Sequence, residues 1–134
     1  MTCSETIIRV RYGETDKMGY LYYGHYPAYF EVSRTDMIRL LGFSYKEIEE
    51  RGIIMPVHSL KVDYKRPAFY DELLTVKSCL TVLPVVKFDI DYEIYNPQKQ
   101  LICTGNTILA YVDAKTGKPR RAPDFFIKAV EKYF

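Results

Sequence analysis

The sequence predicts an α+β domain in which one long helix packs on an antiparallel sheet of about five strands. A helical pattern over residues 23–41 has apolar positions on more than one side. Four further β-rich segments follow, separated by short stretches of turn-forming residues. The chain has 134 residues, which is the size of one domain, so we expect a single domain over residues 1–134.

The N-terminal elements are a strand and the long helix. Residues 6–12, TIIRVRY, are rich in β-branched residues and predict the strand. The helix follows with Pro27 in its first turn, where a missing N–H has little consequence. Its apolar residues recur at spacings of three and four. Val32 lies outside this stripe and widens the apolar face, so we expect the helix to be buried on most sides. Gly42 is expected to end the helix in the left-handed conformation.

Two shorter helices are predicted from capping patterns. Ser44 and Glu47 form a capping box, which predicts a helix to about Arg51. Asp124 is placed to cap a final helix that reaches Phe134.

The remaining segments are strands. Residues 86–95 alternate between apolar and charged side chains, which indicates one packed face and one solvated face. Residues 58–65 also alternate, and residues 73–83 and 101–113 are β-rich. Because tight turns join these segments, antiparallel pairing is expected. The free edges of such a sheet favour a homodimer that covers at least one of them.

Composition excludes several classes of protein. Lysine plus arginine number 19 and aspartate plus glutamate 17, so the net charge of +2 argues against a nucleic-acid binder. The cysteines Cys3, Cys79 and Cys103 are widely spaced and odd in number, which predicts neither a disulfide framework nor a zinc site. No signal-like or membrane-spanning apolar run is present, so a cytoplasmic location is expected.

Known catalytic motifs are also missing. The two histidines, His25 and His58, lie in separate elements without metal-ligand spacing, so no metal site is expected. There is no GxSxG nucleophile elbow and no glycine-rich phosphate loop.

Asp16 lies near the start of residues 14–31, ETDKMGYLYYGHYPAYFE, which contain five tyrosines. An aspartate before a glycine-containing turn is ordinarily a local cap. However, the free N–H groups at a helix start can hold a developing oxyanion, and a carboxylate beside them is a minimal set of groups for acyl hydrolysis. The residues alone leave both interpretations open.

Two motifs together resemble a known family. The run YGETDKMGYLYYGHYPAYFEVSRTDMIRLLG carries its pattern at Asp16, Gly19, Tyr22, Tyr26, Glu31 and Arg34. The stretch YKRPAFYDEL, residues 64–73, is similar to the family's second recurring segment. Together they resemble the hotdog-fold acyl-CoA thioesterases of the 4-hydroxybenzoyl-CoA thioesterase type, and the resemblance covers nearly the whole chain.

The resemblance implies hydrolysis of an acyl-CoA thioester on a hotdog fold, with a long central helix wrapped by a curved sheet. Asp16 would be the catalytic nucleophile or general base, and backbone N–H groups near Tyr23 and Gly24 would polarise the carbonyl. The related Tol-Pal-associated thioesterases have a histidine at the position of Tyr23, and His25 stands where the family usually has asparagine. Family members are dimers or tetramers with active sites at subunit interfaces. No cofactor is implied, since CoA belongs to the substrate.

Further residues are candidates for substrate contact. Coenzyme A has phosphates that need positive charge, which Lys65 and Arg66 could supply. A second basic group lies in a late loop and comprises Lys118, Arg120 and Arg121. Tyr22 would shape an acyl pocket with Tyr20 and Tyr29, although core packing uses the same residue type. His58 is expected to line a pocket or pack within its strand.

The sequence leaves two other functions open. One is a hotdog dehydratase that acts on 3-hydroxyacyl thioesters, which would need a histidine paired with a carboxylate. The other is a subunit that binds an acyl ligand without turnover. The sequence does not predict the acyl group, or whether CoA or acyl carrier protein bears it.

Overall fold

Five long antiparallel strands and one long helix form most of the protein, whose computed structural model covers residues 1–134. The strands are β1 (Thr2–Arg9), β2 (Ile53–Ile54), β3 (Val57–Tyr64), β4 (Leu73–Leu80), β5 (Lys87–Tyr95), β6 (Leu101–Asp113) and β7 (Pro119–Arg120). The helices are α1 (Tyr26–Leu40), α2 (Tyr45–Glu50) and α3 (Asp124–Glu131). The long strands lie in the order β1-β4-β5-β6-β3, and every pairing is antiparallel. The α+β class and the number of long strands are therefore confirmed.

The core lies between α1 and one face of the sheet. The alternation predicted for β5 is confirmed, because Phe88, Ile90, Tyr92 and Ile94 are all buried. The ring of Phe30 in α1 stacks on the ring of Tyr92 with 4.3 Å between centroids. These contacts fix the helix against the middle of the sheet.

The long helix is shorter and less buried than its pattern predicts. A 3-10 turn over Tyr23–His25 precedes α1, which has Pro27 in its first turn. Val32 is exposed because α1 packs against the sheet on one side only. Gly42 has φ +104°, which confirms the predicted left-handed ending. None of the three helices combines the length and the apolar character needed to cross a membrane.

Of the two predicted helix caps, the one at Ser44 forms and the one at Asp124 does not. The hydroxyl of Ser44 accepts a hydrogen bond from the N–H of Glu47 at 3.1 Å, so the N-cap at Ser44 is confirmed. The reciprocal half of the predicted capping box does not form, because the Glu47 carboxylate accepts from the hydroxyl of Ser44 instead of from its N–H. Asp124 is the first residue of α3 rather than its cap, because Pro123 occupies the capping position. The helix ends at Glu131, three residues before the predicted end.

The first strand and one connection differ from the prediction. The strand runs from Thr2 to Arg9 instead of over residues 6–12, because its register with β4 pairs Thr2 with Leu80 and Arg9 with Leu73. The segment between β3 and β4 is a crossover instead of a hairpin turn, since β3 pairs with β6 while β4 lies between β1 and β5. Sequence periodicity carries no information about such non-local pairing.

A disulfide joins Cys3 to Cys79, which corrects the expectation that the cysteines are unpaired. The two residues lie directly opposite one another on β1 and β4, although 76 positions separate them in sequence. Only Cys103 is free, and it is buried.

Candidate active site

Asp16 lies in a tight turn that joins two short, paired segments. Thr15 and Leu21 form an isolated antiparallel bridge at the base of the turn. The N–H of Asp16 donates to the carbonyl oxygen of Tyr20 at 2.8 Å, and the N–H of Gly19 donates to the carbonyl oxygen of Asp16 at 3.0 Å. Gly19 has φ +81°, which few other residues adopt without strain. The turn therefore holds the aspartate in one place.

The two oxygens of the Asp16 carboxylate have different environments. Oδ1 accepts hydrogen bonds from the N–H groups of Met18 at 2.9 Å and Tyr20 at 3.1 Å. Oδ2 has no hydrogen-bond partner. Asp16 is thus a local cap of its own turn, but it caps neither α1 nor the preceding 3-10 turn. The free oxygen is available to a ligand.

The half-buried Asp16 borders a cavity of about 300 Å³. The lining residues are Asp16, Met18, Tyr20, Leu21, Tyr23, Tyr26, Tyr64, Lys65, Arg66 and Pro67. The wall is therefore mainly aromatic and apolar, with one carboxylate and two cations. Four of the residues singled out from the sequence as site residues meet here, namely Asp16, Tyr23, Lys65 and Arg66.

The 3-10 turn beside the cavity has two free backbone donors. The first hydrogen bond of the turn is donated by the N–H of His25 to the carbonyl oxygen of Tyr22, at 3.0 Å. The N–H groups of Tyr23 and Gly24 precede it and have no partner in the chain. These are the two donors that the sequence resemblance implied.

Two tyrosines of the cavity were not identified from the sequence as site residues. Tyr26 is 3% exposed. Its burial raises the pKa of its phenol to about 12, and the nearby Cys103, Tyr64 and Asp16 contribute smaller increases in that order. The ring of Tyr64 meets that of Tyr26 edge to face at 5.0 Å. The position of Tyr64 at the start of the YKRP motif was the available signal, but its alternation with polar residues indicated only a strand.

Neither histidine borders the cavity. His25 is half-buried next to the ring of Tyr22, with 5.8 Å between ring centroids. His58 is exposed on β3, where the pairing with β6 slips by one residue between Val57 and Ser59. A dehydratase-type pair of histidine and Asp16 is therefore not formed within the chain. The structure also contains no group of three or more His, Cys, Asp or Glu side chains arranged to hold a metal.

The basic residues at and beside β7 lie far from the cavity of their own chain. Arg120 pairs with Tyr111 on β6, whereas the N–H groups of Lys65 and Arg66 donate to the carbonyl oxygen of Ile102 near the other end of that strand. Nine residues of extended strand correspond to about 30 Å. Lys118, Arg120 and Arg121 therefore do not join the cavity of their own chain.

A family model described as the thioesterase-like superfamily matches residues 10–130. The chain belongs to this superfamily. The matched region includes the Asp16 turn, the 3-10 turn and every residue of the cavity wall.

Named relatives of this thioesterase-like chain agree with the match. It superposes on a structure of DHNA-CoA thioesterase from Staphylococcus aureus with a TM-score of 0.86 and 42% identity, covering 100% of this chain and 85% of that one. It is 28% identical to the acyl-CoA thioester hydrolase YbgC of Escherichia coli O6:H1 over 116 residues, which are 87% of each protein.

A more distant structure agrees in fold. A 4-hydroxybenzoyl CoA thioesterase bound to 4-hydroxybenzoyl CoA superposes with a TM-score of 0.82 at 19% identity, covering 95% of this chain and 97% of that one. The predicted hotdog fold and the resemblance to acyl-CoA thioesterases are confirmed.

Proposed function

We propose that the protein hydrolyses acyl-CoA thioesters to the free acid and CoA at the Asp16 cavity. The observation that carries the proposal is the Asp16 carboxylate, which has one oxygen held by two backbone N–H groups and the other free at a cavity wall. Two unpaired N–H groups lie in the adjacent 3-10 turn, which contributes Tyr23 to the same wall.

Each group has a role in this reaction. The N–H groups of Tyr23 and Gly24 would bind the thioester carbonyl and the oxyanion that forms from it. Lys65 and Arg66 are exposed at the cavity mouth, where their charges would attract the phosphates of CoA. The aromatic wall would surround the acyl group.

Asp16 can act by two routes that give the same products. As general base, it takes a proton from water while the water oxygen bonds to the carbonyl carbon; the intermediate then breaks its carbon–sulfur bond, and the proton leaves with the thiol of CoA. As nucleophile, Oδ2 bonds to the carbonyl carbon and expels CoA thiolate, and water then hydrolyses the resulting anhydride. The free position of Oδ2 suits either route.

A thiol-release assay with aryl, short-chain and long-chain acyl-CoA esters tests the proposed function. We expect turnover of at least one ester and a loss of at least about 100-fold in kcat for Asp16→Asn, which keeps the size of the side chain but removes the base. Asp124→Asn on the surface of α3 is the matched control and should match the wild type. Equal turnover by Asp16→Asn and the wild type would overturn the assignment of Asp16.

A nucleophilic Asp16 can be detected by a single-turnover reaction in water labelled with oxygen-18. If Asp16 is the nucleophile and water attacks the aspartyl carbon of the anhydride, labelled oxygen enters the carboxylate of Asp16. If Asp16 is the base, or if water attacks the acyl carbon of the anhydride, all of the label enters the free acid. Label found by mass spectrometry in the peptide that contains Asp16 therefore demonstrates the nucleophilic route.

We also propose a homodimer, or a tetramer built from such dimers, in which a second copy covers the free edge of β3. Only one side of β3 is paired, and its apolar residues Val57, Leu60 and Tyr64 are 52%, 47% and 49% exposed. An uncovered apolar edge strand would promote aggregation. Because Tyr64 also lines the cavity, a copy on this edge would close the active site at the subunit interface.

The buried guanidinium of Arg34, next to the edge of β3, also supports a second copy of the chain as the partner. Arg34 is 6% exposed, and its guanidinium donates to the hydroxyls of Tyr45 at 2.8 Å and Tyr92 at 3.1 Å, but to no carboxylate. Arg34 and the exposed Glu31 border the same two surface grooves on α1. Since contacts across a two-fold axis are reciprocal, Glu31 of each copy could pair with Arg34 of the other.

Light scattering coupled to size exclusion tests the oligomer. We expect a dimer or tetramer for the wild type and monomers for Leu60→Lys, which places a charge on the covered edge. Val82→Lys is the control, because Val82 is exposed in the loop between β4 and β5. A monomeric wild type would refute the proposal.

We propose, finally, that the enzyme acts in the cytoplasm, where CoA esters are available, and that protein groups alone perform the reaction. Full activity after dialysis against a chelator would support catalysis by protein groups alone, and lost activity that returns with added metal would contradict it.

The cytoplasmic location is tested by cell fractionation. We expect the native protein in the soluble cytoplasmic fraction, and recovery outside the cell would contradict this location.

A further inference from the structure

The hydroxyl of Tyr64 donates a hydrogen bond to the carbonyl oxygen of Tyr23 at 2.8 Å. This bond joins the end of β3 to the 3-10 turn that precedes α1, across 41 residues of sequence. Edge-to-face contacts with Tyr26 at 5.0 Å and Tyr23 at 6.3 Å hold the ring of Tyr64. The position of the hydroxyl is therefore set by packing.

The carbonyl oxygen of Tyr23 can accept a second hydrogen bond because of the local sequence. In the 3-10 turn its backbone partner is the N–H three residues later, that of Tyr26, and the N–H four residues later is missing because that residue is Pro27. The Tyr64 hydroxyl donates to the remaining lone pair of this oxygen.

The bonded carbonyl is in the same peptide unit as the N–H of Gly24. A trans peptide is planar, and its C=O and N–H point in opposite directions, so holding the oxygen also fixes the direction of the N–H. The neighbouring glycine gives this peptide more freedom to rotate than other residues would. A hydrogen bond to the oxygen also polarises the unit and strengthens its N–H as a donor.

We propose that Tyr64 is a positioning residue for thioester hydrolysis, whose hydroxyl holds the Tyr23–Gly24 peptide so that the free N–H groups of this turn are aligned for the developing oxyanion. The inference rests on the proposed function, but it assigns a role to a residue that does not touch the reacting atoms. Burial, together with the proximity of Cys103 and Tyr23, raises the pKa of Tyr64, so the hydroxyl remains a donor through the neutral range.

Tyr64→Phe tests the role, because it keeps the ring and removes only the hydroxyl. We expect kcat for thiol release to fall by about 10-fold, with KM within about two-fold of the wild-type value. The fall in kcat should be smaller than for a deleted oxyanion donor, because the N–H of Gly24 is still present and is only less well oriented. Tyr95→Phe is the matched control, because its hydroxyl bonds Glu93 on the exposed side of β5, and it should leave both constants unchanged.

A second measurement does not depend on turnover. In a protein labelled with nitrogen-15, the amide signal of Gly24 should move upfield in the proton dimension and exchange faster with solvent in Tyr64→Phe, and should be unchanged in Tyr95→Phe. If no acyl-CoA is hydrolysed by the wild type, the proposed function fails, and a shifted Gly24 signal still supports the positioning of the peptide. An unchanged Gly24 signal overturns the inference, whether or not kcat falls.

Discussion

The hydroxyl of Tyr29 in α1 donates a 2.7 Å hydrogen bond to Oε1 of Glu14. The same carboxylate oxygen accepts the N–H of Arg11 at 2.9 Å, and the backbone carbonyl of Glu14 accepts the N–H of Tyr22 at 2.8 Å. Glu14 therefore connects the central helix to both ends of the loop that carries Asp16. The turn that contains Asp16 is tied to the rigid core through this residue.

The first prediction concerns this connection. Tyr29→Phe removes the hydroxyl from a half-buried carboxylate, and we expect the free energy of unfolding to fall by about 1–2 kcal/mol. We also expect kcat for thiol release to fall by about 10-fold, because small displacements of catalytic groups reduce rate strongly. Urea denaturation and the thiol-release assay measure the two effects. Tyr133→Phe, at an exposed position, is the control, and wild-type stability and rate in Tyr29→Phe would contradict the prediction.

The second prediction is a dependence of stability on acid. Burial raises the pKa of Glu14, but the N–H of Arg11, the Tyr29 hydroxyl and the charge of Arg11 outweigh it and hold the pKa below its usual value. Ionised Glu14 therefore stabilises the fold above its unfolded pKa of about 4.3, and this contribution is lost as pH falls through the lower, folded pKa. We expect a decline in unfolding free energy below about pH 4.5 that is shallower in Glu14→Gln.

Urea denaturation at pH 7, 5, 4 and 3 measures this slope. Glu131→Gln, at the end of α3, is the matched control and should keep the wild-type slope. An identical slope in Glu14→Gln and the wild type would show that other carboxylates cause the acid dependence.

The third prediction concerns the contact between α1 and β6. Gly105 lies under the ring of Phe30, which is fully buried, and a Cβ at this position would meet that ring and lie 2.9 Å from the carbonyl oxygen of Lys61. Since neither neighbour can move freely, we expect Gly105→Ala to destabilise the fold by about 1–3 kcal/mol. Gly13→Ala is the control, because its Cβ would meet open space, and the two variants are compared by thermal unfolding. Equal midpoints would contradict the close contact between Gly105 and the ring of Phe30.

Local features of this fold could be predicted from the sequence. The buried face of β5, the cap at Ser44 and the left-handed Gly42 all depend on neighbouring residues only, and each is confirmed. The turn at Asp16 was recognised for the same reason. The proposal that Asp16 is a site residue comes from a resemblance of motifs, because periodicity does not report which oxygen of a carboxylate is free.

Features that depend on distant residues were missed. The exposed β3 has the same alternation as the buried β5, and only the sheet order shows that one is an edge strand. The bond of Tyr64 to Tyr23 joins residues that the sequence does not relate. The pairing of Cys3 with Cys79 similarly depends on the register between β1 and β4.

The last prediction concerns these cysteines. Cys3 is exposed, whereas Cys103 is fully buried, and burial and the nearby Asp63 raise the pKa of its thiol to about 12. We therefore expect no rapidly reacting thiol in the air-oxidised native protein and two after mild reduction. Because the bridge closes a long loop in the unfolded chain, reduction should lower the free energy of unfolding by about 2–4 kcal/mol.

Thiol titration, intact mass and thermal unfolding with and without reductant measure these effects. Cys3→Ser is the control variant, because its unfolding midpoint should no longer respond to reductant. Since thiols are kept reduced in the cytoplasm, alkylation in intact cells should trap Cys3 and Cys79 as free thiols if the enzyme works there. A bridge trapped intact in cells would contradict the cytoplasmic location, and a midpoint insensitive to reductant in the wild type would contradict a stabilising disulfide.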